Sequence, residues 1–512
     1  MSLPKYIIIK ILKLLYDSLS SNLRKVITYT ITLVCKDWRD IIPKIEKYYF
    51  ALYFESNITQ LWNLKDKNNL ELDISTRFRK LLFDKEFSEA FGKSIYYLVV
   101  TPSEISALPT LPNLEELTFN LDEGDNDISD VDKHLPSSVT SIGIVVTSYP
   151  TQYNIFDKQF TKIHRTLKIF SFEFDENNAP SNFNFSQLLK SIGECGTLEE
   201  VTLSFNNEII QLNDIIICLN STKSINYMEL TYISIQKPKE SDIIPITNQS
   251  ISNLYINNYS STLIESDLMY IWIYKYFKGP SSIVSLSIQY NSPKDIGLDF
   301  LSVFPKLNSL DYSFPPKSFE WNMDIDNISN LIKLNHRSLK GLTISSTYGD
   351  NYPQLSKKIL KLLQSNNNIT ELTMNPSVPF SDITELIESH PSIKTLYCRI
   401  SNQFEIDQLR HSIEGNSVIN RLTIFGSGSD LNFSNVDFYF NNLIDMLYNS
   451  SIEHYQIPAP KTKIFMSDHV FEDFQRCIRF NTYKIHSLYL TTQDKRIEQC
   501  LNKHMIHHFK VQ

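Results

Sequence analysis

From residue 95 onward one phrase recurs: an apolar residue, two variable positions, a second apolar residue, one variable position and a third apolar residue. Clear copies are Leu114-Leu117-Phe119, Leu198-Val201-Leu203, Ile283-Leu286-Ile288, Leu339-Leu342-Ile344, Ile369-Leu372-Met374 and Ile485-Leu488-Leu490. Nine further copies begin at Ile95, Val139, Leu167, Ile225, Ile251, Leu307, Ile393, Ile419 and Ile452, which makes fifteen. Their spacing runs from 19 to 33 residues and averages about 28, a repeat period. In twelve of the fifteen the residue before the first anchor is Ser, Thr or Asn, a regularity that chance triplets in an Ile/Leu-rich chain do not produce. Helical patterns fill several gaps. Leu355, Ile359, Leu362 and Leu363 fall on one side of a predicted helix. Asp382 and Glu385 predict a capped helix start, and Ser186 precedes a similar segment over Leu188–Ile192.

A strand-plus-helix unit cannot bury its apolar face alone, whereas stacked units share one continuous core. Fifteen strands at about 4.8 Å spacing predict a parallel sheet of roughly 70 Å. Such a sheet offers a wide concave surface to a protein partner, not a deep reaction pocket. The period and the strand phrase resemble the leucine-rich repeat family. That family's ladder asparagine is mostly missing: eight residues past the first anchor only Asn206 and Asn291 are found. The expectation is an α/β leucine-rich-repeat-like solenoid, an irregular horseshoe with a parallel sheet, over residues 94–490. A connector or N-terminal cap over 47–93 precedes it, and a C-terminal cap over 491–512 follows. Within the connector, Tyr48–Phe54 reads as a buried strand and Phe78–Phe91 as a helix.

Residues 1–46 carry a different pattern. Pro4 suits a first helical turn, where its missing N–H costs nothing. Ile7, Ile8, Ile11, Leu12 and Leu15 then make one apolar stripe at helical spacing, with Lys5, Lys10 and Lys13 off it. A second cluster follows in Val34, Cys35, Lys36 and Trp38. A stretch this short cannot bury so much apolar surface by itself. Together Leu3, Pro4, Ile7, Ile8, Ile11, Leu12, Leu15, Val34, Cys35, Lys36 and Trp38 resemble an F-box, a small α-helical segment. Tyr6 stands where that family usually has Glu, and the span from Leu15 to Val34 is about eight residues longer than usual. The resemblance implies binding to the Skp-type adaptor of a cullin-RING ligase core, through Leu3, Pro4, Ile8, Ile11, Leu12, Leu15, Val34, Cys35 and Trp38. The repeats would then present an unidentified protein substrate, with no covalent chemistry on this chain. The alternative is a repeat scaffold whose N-terminal helices only cap the solenoid.

Composition narrows the chemistry. Of 512 residues, 42% are hydrophobic and 21% charged, enough for a large core. Twelve glycines are few, and phosphate-cradling loops need glycine. Gly92-Lys93-Ser94 matches the tail of such a loop, but Phe87 occupies the place of its leading glycine. A net charge of −8 lacks the basic footprint of a nucleic-acid binder. Six scattered cysteines without a C-x-x-C pair suit reduced thiols in the cytoplasm or nucleus. No apolar run reaches the length of a membrane span, and no secretory cleavage signal follows the first helix.

No cofactor, metal centre or catalytic constellation is expected. Cys500, His504, His507 and His508 share one helical face, but a single helix rarely closes a tetrahedral site. The concave positions of the strand phrase are more informative. They hold Glu173, Glu200 and Glu229 on three successive strands, an acidic row suited to a basic segment. Toward the C-terminus they hold Tyr397, Arg399, Arg421, Phe425 and Tyr489, residue types that dominate interface energetics.

Overall fold

The computed structural model describes residues 48–52, 56–64, 70–74, 76–101, 104, 111–121, 135–146, 166–174, 185–236, 239–257, 272–289, 303–314, 329–346, 353–401, 404–426, 435–458, 465–482, 484–490, 494–504 and 506. The F-box-like segment lies outside the described residues. Two compact units are formed, one of residues 1–208 with 217–226, the other of 209–216 with 227–512.

The first unit contains β1 (Tyr48–Leu52), α1 (Ser56–Trp62), β2 (Leu70–Ile74), a 3-10 segment (Thr76–Phe83), α2 (Lys85–Phe91), β3 (Ile95–Val100), β4 (Glu116–Leu121), β5 (Ser141–Val146), β6 (Ile169–Phe174), α3 (Phe185–Glu194) and β7 (Glu200–Gln211). Next comes α4 (Leu212–Ser221), which, like the end of β7, has residues in both units. The second unit contains β8 (Tyr227–Gln236), β9 (Asn253–Asn257), α5 (Trp272–Lys275), β10 (Ser285–Gln289), β11 (Ser309–Phe314), β12 (Gly341–Ser346), α6 (Pro353–Leu363), β13 (Glu371–Val378) and α7 (Phe380–Ser389). It continues through β14 (Thr395–Ile400), α8 (Ile406–Glu414), β15 (Arg421–Gly426), α9 (Val436–Asn449), β16 (His454–Ile457), α10 (Asp468–Asn481), β17 (Ser487–Leu490) and α11 (Lys495–Lys503).

Within each unit every described strand pair is parallel and sequential. The register brings the middle anchors of the phrase side by side. In the first unit these are Leu98, Leu117, Ile142, Phe170 and Val201. In the second they run Met228, Leu254, Leu286, Leu310, Leu342, Leu372, Leu396, Leu422, Tyr455 and Leu488. All fifteen first anchors are buried. The fold is therefore an α/β leucine-rich-repeat-like solenoid, with one strand for each copy of the phrase. β1 and β2 are two more strands ahead of it, paired in parallel. The core lies between sheet and helices: Ile359, Leu360 and Leu363 of α6, Ile383 and Leu386 of α7, and Leu409 and Ile413 of α8 are all buried.

At seven of the fifteen copies the polar residue before the anchor has a structural role. Its side chain donates backward to a carbonyl at or just before the anchor of the preceding repeat. Ser392 Oγ donates to Ile369 O at 2.9 Å, Ser451 Oγ to Ile419 O at 3.1 Å, and Ser338 Oγ to Pro305 O at 2.8 Å. Asn113, Thr166, Ser224 and Asn368 do the same for Lys93, Val139, Cys195 and Asn335. A second polar residue, three positions before the anchor, takes the work of the missing ladder asparagine. Asn366 Oδ1 accepts from the Asn368 and Ile369 N–H groups, and its Nδ2 donates to Ile332 O. Asn416 accepts from Val418 and Ile419 N–H and donates to Ile387 O. Asn248 and His390 accept in the same way. Buried backbone at the turn is thus satisfied at the start of the strand, not past its end.

Two local expectations are corrected. The stretch 78–91 is not one helix, because Asp84 interrupts it: its carboxylate accepts from Phe87 N at 2.8 Å and caps α2. Asp382 is not a cap either. Pro379 leads into α7 without a side-chain cap bond, and Asp382 is the third helical residue.

Candidate protein-interaction face

Alternation along each strand sends the anchors to the helix side and the intervening residues to the open face of the sheet. In the second unit that face changes along its length. At β8–β10 the Tyr227 hydroxyl donates to Glu229 Oε2 at 2.7 Å, and the Tyr227 and Tyr255 rings lie 5.4 Å apart. Tyr255 OH and Ser285 Oγ are 2.7 Å apart. Small residues fill β10–β12, among them Ser309, Gly341, Thr343 and Ser345. Asp311 sits among them, and burial raises its carboxyl above the usual carboxylate range despite a hydrogen bond from Ser345 Oγ at 3.3 Å.

Beyond β13 the open face becomes aromatic and basic, as the sequence predicts. Register places Arg399 beside Phe425, and Tyr397 beside Thr423. The Tyr397 and Phe425 rings meet at 5.0 Å, tilted by 47°. Arg421 pairs in register with His454, and Gln456 with Tyr489. Arg421 is close enough to Tyr489 to oppose the upward pull of burial on its phenol. Tyr397, Phe425 and Tyr489 are half-buried, and both arginines are exposed. All five C-terminal candidates therefore form one patch.

The acidic residues do not form a row. Glu173 pairs in register with Ser204, whereas Glu200 pairs with Ile169, four residues earlier. Within the first unit, Glu173 and Glu200 therefore share a face parity but occupy levels four residues apart. Glu229 lies in the second unit, beside Tyr255.

One cluster escaped the sequence reading. Glu453, His454 and His486 bring three potential ligand atoms within 4.8 Å of one another. His486 Nδ1 lies 3.5 Å from Glu453 Oε2, and His454 Nδ1 lies 2.8 Å from Ser487 Oγ. Two imidazoles and a carboxylate are ligands for zinc-like cations. Arg421 works against a cation there: after burial, its charge is the next cause holding His454 below the ordinary imidazole range. The signal was available, since these residues are the first and second positions past an anchor in adjoining repeats. Of the C-terminal quartet, Cys500 is buried and His504 follows α11, while His507 and His508 lie outside the described residues. Phe87, in the candidate phosphate loop, is buried inside α2. Burial raises the Cys218 and Cys477 thiols to about 12, so neither is a thiolate nucleophile.

No protein-family model matches the chain, and no curated protein matches it. Solved structures similar to it include a chain of the Rad7–Elc1 complex of yeast, at 12% identity and a TM-score of 0.33, covering 81% of this chain and 95% of that one. A chain of the TLR13–ssRNA13 complex is similar at 12% identity and TM-score 0.31, covering 74% of this chain and 55% of that one. A chain of the Drosophila Toll–Spatzle complex is similar at 10% identity and TM-score 0.32, covering 77% and 54%. This chain spans about half the length of the last two. The fold assignment rests on the strand register, not on these likenesses.

Proposed function

We propose that this protein is a substrate-recognition adaptor of a cullin-RING (SCF-type) ubiquitin ligase, acting in the cytoplasm or nucleus. The observation that carries this reading is the union of two features in one chain: the Leu3-Pro4 to Trp38 motif, and a repeat sheet with an open aromatic and basic face. The N-terminal motif would dock its apolar stripe on a Skp-type adaptor, and the sheet face would hold a protein substrate. The chain then contributes proximity, holding a substrate lysine near a ubiquitin-charged enzyme supplied by others.

Co-purification with a Skp-type adaptor tests it. Leu12→Asp places a charge in the apolar stripe and Trp38→Ala removes an aromatic anchor, so each is expected to weaken adaptor binding at least ten-fold. Tyr397→Ala is expected to leave it unchanged. Undiminished adaptor binding after deletion of residues 1–45 overturns the proposal. Loss of fold stability without loss of a partner favours the capped-scaffold reading instead.

A further inference from the structure

The open face of β14–β17 differs in charge from the rest of the chain. Overall the protein carries −8. Yet the ten outward-facing positions of these four strands hold two arginines and one histidine, and no carboxylate. Neither Arg399 nor Arg421 has an ion-pair partner among the described residues. Among the described residues, Glu371 lies two strands from Arg421, and Glu453 faces His486.

The placement of the two arginines gives a partner a shape. Arg399 stands beside Phe425, and Arg421 is one strand over and four residues back, so their Cα atoms are about 14 Å apart. Tyr397 lies at the level between them, half-buried and in ring contact with Phe425, which stands at the Arg399 end. An extended peptide also covers about 14 Å in four residues, and its side chains reach the same face at every second position. Carboxylates would meet the arginines, whose planar forks match them. An apolar side chain between them would rest on the two rings.

We propose that this patch binds an extended acidic segment of a protein partner: two carboxylates about four residues apart, flanking an apolar residue. This rests on reading the open face as the substrate surface, and it adds the chemistry of the substrate.

The test is selection of a random displayed decapeptide library on the full chain at low salt, followed by anisotropy titration of an enriched peptide. The expected peptides carry two acidic residues three to five positions apart around an apolar one. Their binding is expected to weaken at least ten-fold with Arg399→Glu plus Arg421→Glu, and likewise when the peptide carboxylates become amides. Charge reversal on the helices, Lys361→Glu plus Arg479→Glu, is expected to leave it unchanged. Thermal melting of the double variant is expected to match the parent, because both arginines are exposed. Neutral or basic consensus sequences, no enrichment, indifference to the arginines, or binding only of a phosphoserine version would each overturn the proposal. Leu12→Asp should not alter peptide binding, so failure of the adaptor reading and failure of this one are separable.

Discussion

His390 accepts from two backbone N–H groups through Nδ1, so the ring must stay unprotonated at that nitrogen. Burial holds its imidazole down at about 4, although the nearby Leu363 carbonyl favours the charged ring. The unfolded chain takes up the same proton near 6.5. Stability from this site is therefore fully present above about pH 6.5 and is lost as pH falls toward about 4, by roughly 3 kcal/mol in all. Asparagine fills the same place at Asn248, Asn366 and Asn416. His390→Asn is expected to keep both bonds and remove this pH dependence. His390→Leu strands both N–H groups and is expected to cost about 2 kcal/mol at neutral pH. Hydrogen exchange of the Ser392 and Ile393 amides at about pH 5 and about pH 7.5 distinguishes the three proteins.

At the scale of elements, two glycines mark where backbones or side chains come close. A Cβ on Gly193 in α3 would meet Cys218 O at 3.0 Å, Cys218 Cα at 3.1 Å and Ser221 Cβ at 3.1 Å on α4. Those are mostly backbone atoms and cannot rotate away. Gly193→Ala gains about 1 kcal/mol of helix propensity, but overpacking costs about 1–3 kcal/mol, so net destabilisation is expected. A Cβ on Gly143 in β5 would meet Thr118 Oγ1 at 2.8 Å and Ser171 Oγ at 3.0 Å, hydroxyls that can turn. Gly143→Ala is expected to be the milder change. Side-by-side thermal melts check the ranking, and the reverse order would refute this account of the helix contact.

Strands were legible for a simple reason. Each anchor must be buried, and burial at one, four and six leaves a trace in the apolar pattern. Turn chemistry was harder to read, because it migrated. The family's asparagine follows the strand, and attention to that position hid Asn366, His390 and Asn416 ahead of the anchors. The site was half legible. Tyr397 and Phe425 lie on adjoining strands two residues apart in level, near enough for stacking to join them. Glu173 and Glu200 share parity but not level, which only a register-by-register reading separates. His454 and His486 are 32 residues apart and meet only through the repeat.

On the scale of the molecule, each repeat of a solenoid leans on its neighbour. The last turn is fastened by Arg496, which holds Asp494 at 2.8 Å, Asp468 at 2.9 Å and Met466 O at 2.7 Å, with Phe471 4.8 Å from its guanidinium. Asp494 is itself 6% exposed. Phe440 of α9 packs against Phe474 of α10 at 6.0 Å. Deleting residues 465–512 removes that partner and leaves β16 as an unpaired edge. Aggregation is expected, read as a rise in light scattering at concentrations where the full chain stays dispersed. Equal dispersion of the two would show that β17 does not protect the β16 edge.

Where present, the hydroxyl and amide ties ahead of the anchors mark where one repeat stops and the next begins. Every one of these ties lies at the start of a strand, so none of them fixes the far side of its repeat. Spacing between anchors can then swing from 19 residues, Ile95 to Leu114, to 33, Ile419 to Ile452, while the ladder keeps its register. A segment cut from just after one tie to just after the next carries its own fastening with it. Such segments are natural cassettes, and a lineage could gain, lose or shuffle them without rebuilding the sheet.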